Sequence, residues 1–463
     1  MKKSQPNLKN RRAFLSDCGK MTAVGAMSSV LNLSMTNKVL AARSPGSITD
    51  YKGLVCVYLA GGMDSFQMLM PGVNDFPTYT DRRRHLALSR GAQHRIVDHR
   101  DSDRDNHVHR DMPEVRDMFN DRDLAFLSNV GTLVEPMTKQ QFANETRERP
   151  FGLASHNDQM AQWQTSIPNE RGGVQGWFGR MADIISDAAN NNATVSMNLS
   201  PGGTNILQQG ADTSLANVRG GANALERYAG LARIRNSMNS QLEHNYSSLI
   251  QRHYNTVKKD AIDQNQALQD LERNAVINTV FPNTGLGQQL RLVAKYIKVH
   301  GVLGLNRQTF YVESGGWDMH QDIRGIGERF RDVSRCLDAF NSAMKEIGEH
   351  DNVVTYTASD FGRSLVGNGN GTDHAWGGNQ IVMGGPVKGQ RVLGAYPDLS
   401  ANSSTNLNTR GRQLPTTSID AYHATLALWF GVKNDSELEE IFPNIRNFYS
   451  QNQNSHPIPG MFG

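Results

Sequence analysis

Six residues with carboxylate or imidazole side chains fall where a folded chain can use them: Asp64, Asp318, His320, Asp360, Asp373 and His374. Each follows an apolar, β-rich run or sits among glycines, where backbone can approach a ligand closely. Asp318 and His320 are two apart, so extended backbone projects both to one side. Asp373-His374 lies in Gly367-Asn-Gly-Asn-Gly-Thr-Asp-His-Ala-Trp-Gly-Gly, a loop free enough to bring a carboxylate and an imidazole to neighbouring ions. Mixed carboxylate and imidazole donors suit Zn²⁺ or Mn²⁺, while a carboxylate-heavy half tolerates Mg²⁺ or Ca²⁺. Taken singly, each residue is ordinarily a loop hydrogen-bonder or a helix cap. Their recurrence at equivalent places predicts one shared polar site, able to hold one or two divalent metal ions.

The nucleophile is less sharply marked. Ser155-His156-Asn157 precedes a helical pattern at Gln159–Gln164, so Ser155 reads first as an N-cap. A hydroxyl at a helix N-terminus is also where backbone N–H groups stabilise an anionic transition state. His156 beside it is a candidate base or metal ligand. Ser65, next to Asp64, is a weaker candidate. Arg363 in Asp-Phe-Gly-Arg either clamps an anionic group or pairs with a nearby carboxylate. Gly61-Gly62 and Gly315-Gly316 fit neither GxGxxG nor a P-loop, which excludes a nucleotide reading of them.

These residues need elements to position them. Leu54–Leu59, Thr309–Val312, Val353–Thr357 and Ile381–Met383 are apolar, rich in β-branched residues and without strict alternation, as in strands covered on both faces. Three of the four lead into a carboxylate. Helical patterns lie between them at Met112–Met118, Gly287–His300 and Ile326–Ile347. The alternation predicts an α/β fold: a mainly parallel central sheet with helices on both faces, binding its ligand outside the carboxyl ends of the strands. Residues 221–282 differ. Arg233–Glu272 is rich in Gln, Asn, Lys and Glu with apolar residues at helical spacing, which predicts a helical insertion packed on the core rather than a coiled-coil arm. The run His94–Arg116, dense in Asp, Arg and His, reads as solvated surface.

The N-terminus carries a different signal. Lys2, Lys3 and Lys9 precede Asn10-Arg-Arg-Ala-Phe-Leu15, then a mildly apolar stretch at Met21–Leu33 and Val39-Leu-Ala41. Paired arginines followed by Phe-Leu match a twin-arginine export signal over residues 1–41, read by the export machinery and then removed. The stretch is too short and too rich in Ser, Asn and Gly to span a bilayer. Removing its seven Lys/Arg and one Asp leaves 41 basic and 44 acidic residues, a net charge of −3. No basic field then argues for nucleic acid as a partner. Only Cys56 and Cys336 remain after residue 41, too few for a disulfide framework or an iron–sulfur site. The expectation is one exported α/β domain over residues 42–463, periplasmic or extracellular, with no transmembrane segment once the signal is removed.

The motifs Gly61-Gly-Met-Asp-Ser-Phe66, Ser155-His-Asn-Asp-Gln159, Gly176-Trp-Phe-Gly-Arg180, Gly315-Gly-Trp-Asp-Met-His320, Ser359-Asp-Phe-Gly-Arg363 and Gly371-Thr-Asp-His374 stand in an order that resembles the domain-of-unknown-function 1501 family. Thr417–Tyr422 through Trp429-Phe-Gly431 extend the resemblance to the end of the chain. That family is similar in its sheet and strand-exit carboxylates to the alkaline phosphatase and sulfatase superfamily. The resemblance implies a metal-dependent hydrolase of phosphate or sulfate esters, acting on a small anionic ester or a sulfated or phosphorylated glycan. It also implies that Asp64 and Asp360 serve one metal ion, and that Asp318, His320 and His374 serve the other, with Asp373 in either shell. The alternative is a non-catalytic exported binding or assembly protein that keeps the fold. Two motifs depart from the superfamily: the ligand pair is Asp318-x-His320 rather than Asp-x-x-x-His, and Ser166-Ile-Pro-Asn-Glu-Arg171 sets its arginine one residue late for a sulfatase signature.

Overall fold

Apolar runs that alternate with amphipathic ones condense into a sheet buried between helices. The structure, a computed structural model, describes residues 48–463 apart from 90, 92, 102–104, 194, 219–231, scattered positions between 245 and 267, and 450–455. The export signal expected over residues 1–41 lies outside the described residues.

The central sheet contains β1 (Lys52–Leu59), β5 (Leu124–Gly131), β6 (Asn198–Ser200), β7 (Ala216–Asn217), β8 (Arg307–Ser314), β9 (Val353–Ser359), β12 (Gly378–Met383), β13 (Val392–Leu393) and β14 (Thr417–Ser418). Its order is β13-β5-β12-β9-β1-β8-β6-β7, with β14 also on β5. Every pairing is parallel except those of β12, which runs antiparallel to both β5 and β9. Strands β5, β9 and β12 are buried throughout, as their continuous apolar character requires. A small antiparallel sheet, β2 (Leu69–Pro71), β3 (Gln93–Val97) and β4 (Asp105–His109), lies apart from it, as does the hairpin β10 (Arg363–Gly367) with β11 (Thr372–His374).

Two groups of helices cover the sheet. Helices α1 (Pro113–Asn120), α5 (Gly285–Lys298) and α6 (Ile326–Glu346) form one, and α2 (His156–Thr165), α3 (Trp177–Ala189) and α7 (Ile419–Phe430) the other. In α6 the buried residues Ile326, Phe330, Val333, Leu337, Phe340 and Met344 recur every three or four positions, one apolar stripe on one face. Helix α7 is buried on almost all sides because it lies against β1 and β5. In the expected insertion, α4 (Ala232–Glu243) and residues 268–274 are helical, and Leu268 is buried in the main core.

Two expectations need correction. The run His94–Arg116 is not solvated surface alone: it supplies β3, β4 and α1, with Asn106, His107 and His109 buried. Ile381–Met383 is a central strand but runs opposite to the other three, so its Gly384-Gly385 exit points away from theirs. An apolar run carries no information about its direction. The reversal has a consequence for function: the segment entering β12, which holds Asp373 and His374, lies at the carboxyl ends of the parallel strands.

Candidate functional site

The three carboxylate-bearing strands are neighbours in the order β9-β1-β8 and finish together, Leu59 pairing with Ser314 on one side and Ser359 on the other. Asp360 follows Ser359 directly, is 3 % exposed, and each of its oxygens is engaged. Tyr58 Oη donates to Oδ1 at 2.8 Å, the Gly61 N–H lies 3.2 Å from both oxygens, and His156 Nδ1 donates to Oδ2 at 2.6 Å. Gly61 is obligatory here. Its φ is +118°, and a Cβ would stand 2.5 Å from the Asp318 amide nitrogen.

His156 opens α2 immediately after its N-cap, and its Nε2 faces His374 Nε2 at 3.1 Å. His374, at the end of β11, donates from Nδ1 to the Ala154 carbonyl at 3.0 Å. Both rings therefore spend an Nδ1–H on an oxygen acceptor, which leaves both Nε2 lone pairs directed at one point. Asp318 completes the group, with Oδ2 3.5 Å from His156 Nε2 and Oδ1 3.6 Å from His374 Nε2. One donor atom from each of His156, Asp318 and His374 falls within 4.8 Å of the others. Phe361, itself buried, packs beside both imidazoles at ring separations of 4.8 and 4.7 Å.

Facing lone pairs 3.1 Å apart repel unless a proton or a cation lies between them. Without a cation the proton belongs to His156: its hydrogen bond to Asp360 raises its pKa, while burial and the neighbouring imidazolium lower that of His374. Burial pushes Asp318 upward, but the hydrogen bond and charge of Arg363 outweigh it and hold the carboxyl below its usual range. Asp318 thus remains an anionic donor. Two neutral imidazole nitrogens and one carboxylate are a fitting donor set for a divalent cation, and leave coordination positions open.

The remaining candidates are placed as follows. Arg363 is fully buried and spends its donors on Gly62 O, Gly61 O, Thr372 O and Asp318 Oδ1. It therefore orients Asp318, the second of the two roles open to it. His320 and Asp373 form an adjoining group, His320 Nε2 lying 3.5 Å from Asp373 Oδ1 and its ring 5.4 Å from that of His374. Asn368 donates to the same Asp373 oxygen at 2.8 Å, and Arg410 lies 3.6 Å from the other. Asp64 is turned into a fully buried ion pair with Arg83, whose guanidinium also donates to Ser364 O and Leu365 O. The fold does not bring it into the three-residue group. Ser65 is buried, its hydroxyl accepting the Asn379 N–H. Ser155 is half-buried and caps α2, accepting the Asp158 N–H at a long 3.5 Å.

Sequence reasoning missed Tyr58 and the Ala154 carbonyl. A strand tyrosine reads as core, and a carbonyl has no side-chain signature. Arg83, an isolated arginine nineteen residues after Asp64, gave no signal of the pair it forms.

The fold and site together define an α/β protein with a carboxylate–imidazole cluster at the carboxyl edge of a mainly parallel sheet. The chain belongs to the family described as protein of unknown function (DUF1501), whose model matches residues 51–442. A comparison with curated proteins gives no match. Among solved structures the chain is similar to the PsFucS1 sulfatase from Pseudoalteromonas sp., at 10% identity and TM-score 0.36, covering 88% of this chain and 71% of that one. It is also similar to the soluble domain of lipooligosaccharide phosphoethanolamine transferase A from Neisseria meningitidis, at 7% identity and TM-score 0.35, covering 86% and 95%. A third is Ps i-CgsB in complex with k-i-k-neocarrahexaose, at 11% identity and TM-score 0.35, covering 86% and 77%.

Proposed function

We propose that this chain is an exported, metal-dependent hydrolase of phosphate or sulfate esters. The observation that carries the reading is the convergence of His156 Nε2, His374 Nε2 and the Asp318 carboxylate, with both imidazole tautomers fixed by acceptors at Nδ1. These three residues would hold the ion, and two nitrogen donors favour Zn²⁺ or Mn²⁺ over Mg²⁺ or Ca²⁺. A divalent cation supplies Lewis-acid polarisation of the ester oxygen and lowers the pKa of a bound water.

The protein's own groups do the rest. Asp360 holds His156 in its binding tautomer, Arg363 fixes and charges Asp318, and Phe361 shields the inner side of both rings from water. His320, Asp373 and Arg410 flank the group and are available to a second ion or to the substrate's anionic oxygens. Ser155, one residue before His156, is the proposed nucleophile, with a water as the alternative. The substrate class is a small anionic ester or a sulfated or phosphorylated glycan. Export by the twin-arginine machinery to the periplasm or beyond follows from residues 1–41. Among the described residues no helix is long and apolar enough to cross a membrane.

One observation favours the second reading, a non-catalytic binding or assembly protein: Arg363 is fully buried with four of its five donors spent within the protein, and the Ser155 hydroxyl already serves a helix end. A panel of phosphate and sulfate monoesters, assayed with and without added zinc, separates the two. Zinc-dependent turnover that is lost in Ser155→Ala supports the hydrolase and its nucleophile. Retained turnover assigns the attack to water. No turnover of any ester by zinc-loaded protein supports the binding protein.

A further inference from the structure

We infer that Tyr58 is a positioning residue of this centre: by donating its phenol proton to Asp360, it locks the carboxylate that sets the His156 tautomer. The inference concerns the same site and rests on the metal-binding reading only for its affinity arm.

The geometry leaves little freedom. Tyr58 is the penultimate residue of β1, 1 % exposed, and its hydroxyl reaches Asp360 Oδ1 at 2.8 Å. Oδ2 of the same carboxylate accepts from His156 Nδ1 at 2.6 Å. A carboxylate on a short side chain can rotate about its last bond, and rotation would carry Oδ2 away from the imidazole. The Gly61 N–H, at an equal 3.2 Å from both oxygens, does not distinguish them. Among the described residues, Tyr58 is the partner that holds Oδ1 alone, and it so presents Oδ2 to His156. The phenol itself is fixed by the stacked ring of Tyr311, 6.1 Å away, which in turn donates its own proton to Glu313. Burial, with the charge of Asp360, keeps the Tyr58 hydroxyl protonated at any physiological pH, so it acts as a donor.

With four engaged contacts, Asp360 has no free lone pair aimed at an ion. It therefore acts through His156, in the manner of a carboxylate that orients a metal-bound histidine. The expected effect of removing Tyr58's proton is the tenfold to hundredfold loss of affinity typical of such outer groups.

The test uses the full folded chain and two readouts. Nitrogen-15 chemical shifts of the His156 ring, in the metal-free parent at a pH alkaline enough for the ring to be neutral, should show Nδ1 protonated and engaged. In Tyr58→Phe, which keeps the ring and loses only the hydroxyl, the Nδ1–H should become exchangeable and both tautomers should be populated. Zinc affinity should fall by about tenfold or more, with far-ultraviolet and near-ultraviolet circular dichroism unchanged. A parent whose His156 carries its proton on Nε2 overturns the inference without any variant. So does a folded Tyr58→Phe protein with the parent's tautomer and affinity. If the parent binds no zinc, the functional proposal fails at that point, and the tautomer comparison alone decides the role of Tyr58.

Discussion

At the scale of single residues, the decisive fact is which atom of each side chain is already spent. Asp64 and Asp318 both follow strand exits and look equivalent in sequence, yet Asp64 is sealed against Arg83 and Asp318 is half exposed. The two should respond oppositely to substitution. Asp64→Ala leaves a buried guanidinium without its counter-charge and should cost about 3–5 kcal/mol of stability, measured by urea unfolding. Asp318→Asn keeps an amide oxygen for the buried Arg363 on a side chain that is itself half exposed, so it should cost less stability than Asp64→Ala, while zinc affinity falls steeply. A mild stability loss in Asp64→Ala would show that the carboxylate is not chiefly a partner for Arg83. The sequence could not have separated these two aspartates, because the partner that claims Asp64 reaches it only through tertiary packing.

Elements explain why the rest of the site was legible. The strand-exit pattern correctly places Asp318 and Asp360 at one edge, because parallel neighbours necessarily end on the same side. His374, read from the sequence as part of a glycine-rich loop, reaches the same edge for a reason not visible beforehand: β12 enters from that edge because it is antiparallel. His156 was legible as a candidate base or ligand beside a helix N-cap, and the helix N-terminus does deliver it to the cluster. What remained hidden were contacts made by backbone or by core residues, namely Ala154 and Tyr58. The cap itself is testable. Ser155→Ala removes the side-chain acceptor at the start of α2 and should lower stability by about 1 kcal/mol, read as a shift in the denaturation midpoint at unchanged slope. No shift would mean that the long 3.5 Å contact contributes nothing and that the hydroxyl is free for another task.

For the molecule as a whole, three buried groups, two of them on α7, make stability vary with pH. His423 in α7 is fully buried, and burial pushes its pKa down to about 3; burial likewise lowers His109 to about 4. An unfolded histidine titrates near 6.5, so below that pH the unfolded chain binds protons that the native state refuses. Stability contributed by these neutral rings is present above about pH 6.5 and is lost as pH falls toward 4, at about 1.4 kcal/mol per unit for each. Asp420, on the same helix, has the opposite sign. Burial raises its pKa well above the ordinary value, only partly opposed by Arg180, so the native carboxyl stays protonated while the unfolded one ionises. Its contribution is present below about pH 4 and is lost as pH rises. Asp420→Asn removes that loss. The variant should gain stability relative to the parent on going from pH 5 to pH 8, and an unchanged difference between them would place an ionised Asp420 in the native protein. The export signal is testable at the same scale: replacing Arg11 and Arg12 by Lys should retain the precursor inside the cell, and normal export of the double variant would remove the twin-arginine assignment.

The central claim is that His156, Asp318 and His374 form one centre for a divalent cation, and a zinc titration tests it most directly. Isothermal titration of metal-free parent with zinc should give at least one tight site per chain, and His374→Ala, still folded, should lose it. Parent protein that takes up no zinc or manganese, or a His374→Ala variant that binds zinc as tightly as the parent, would contradict the account.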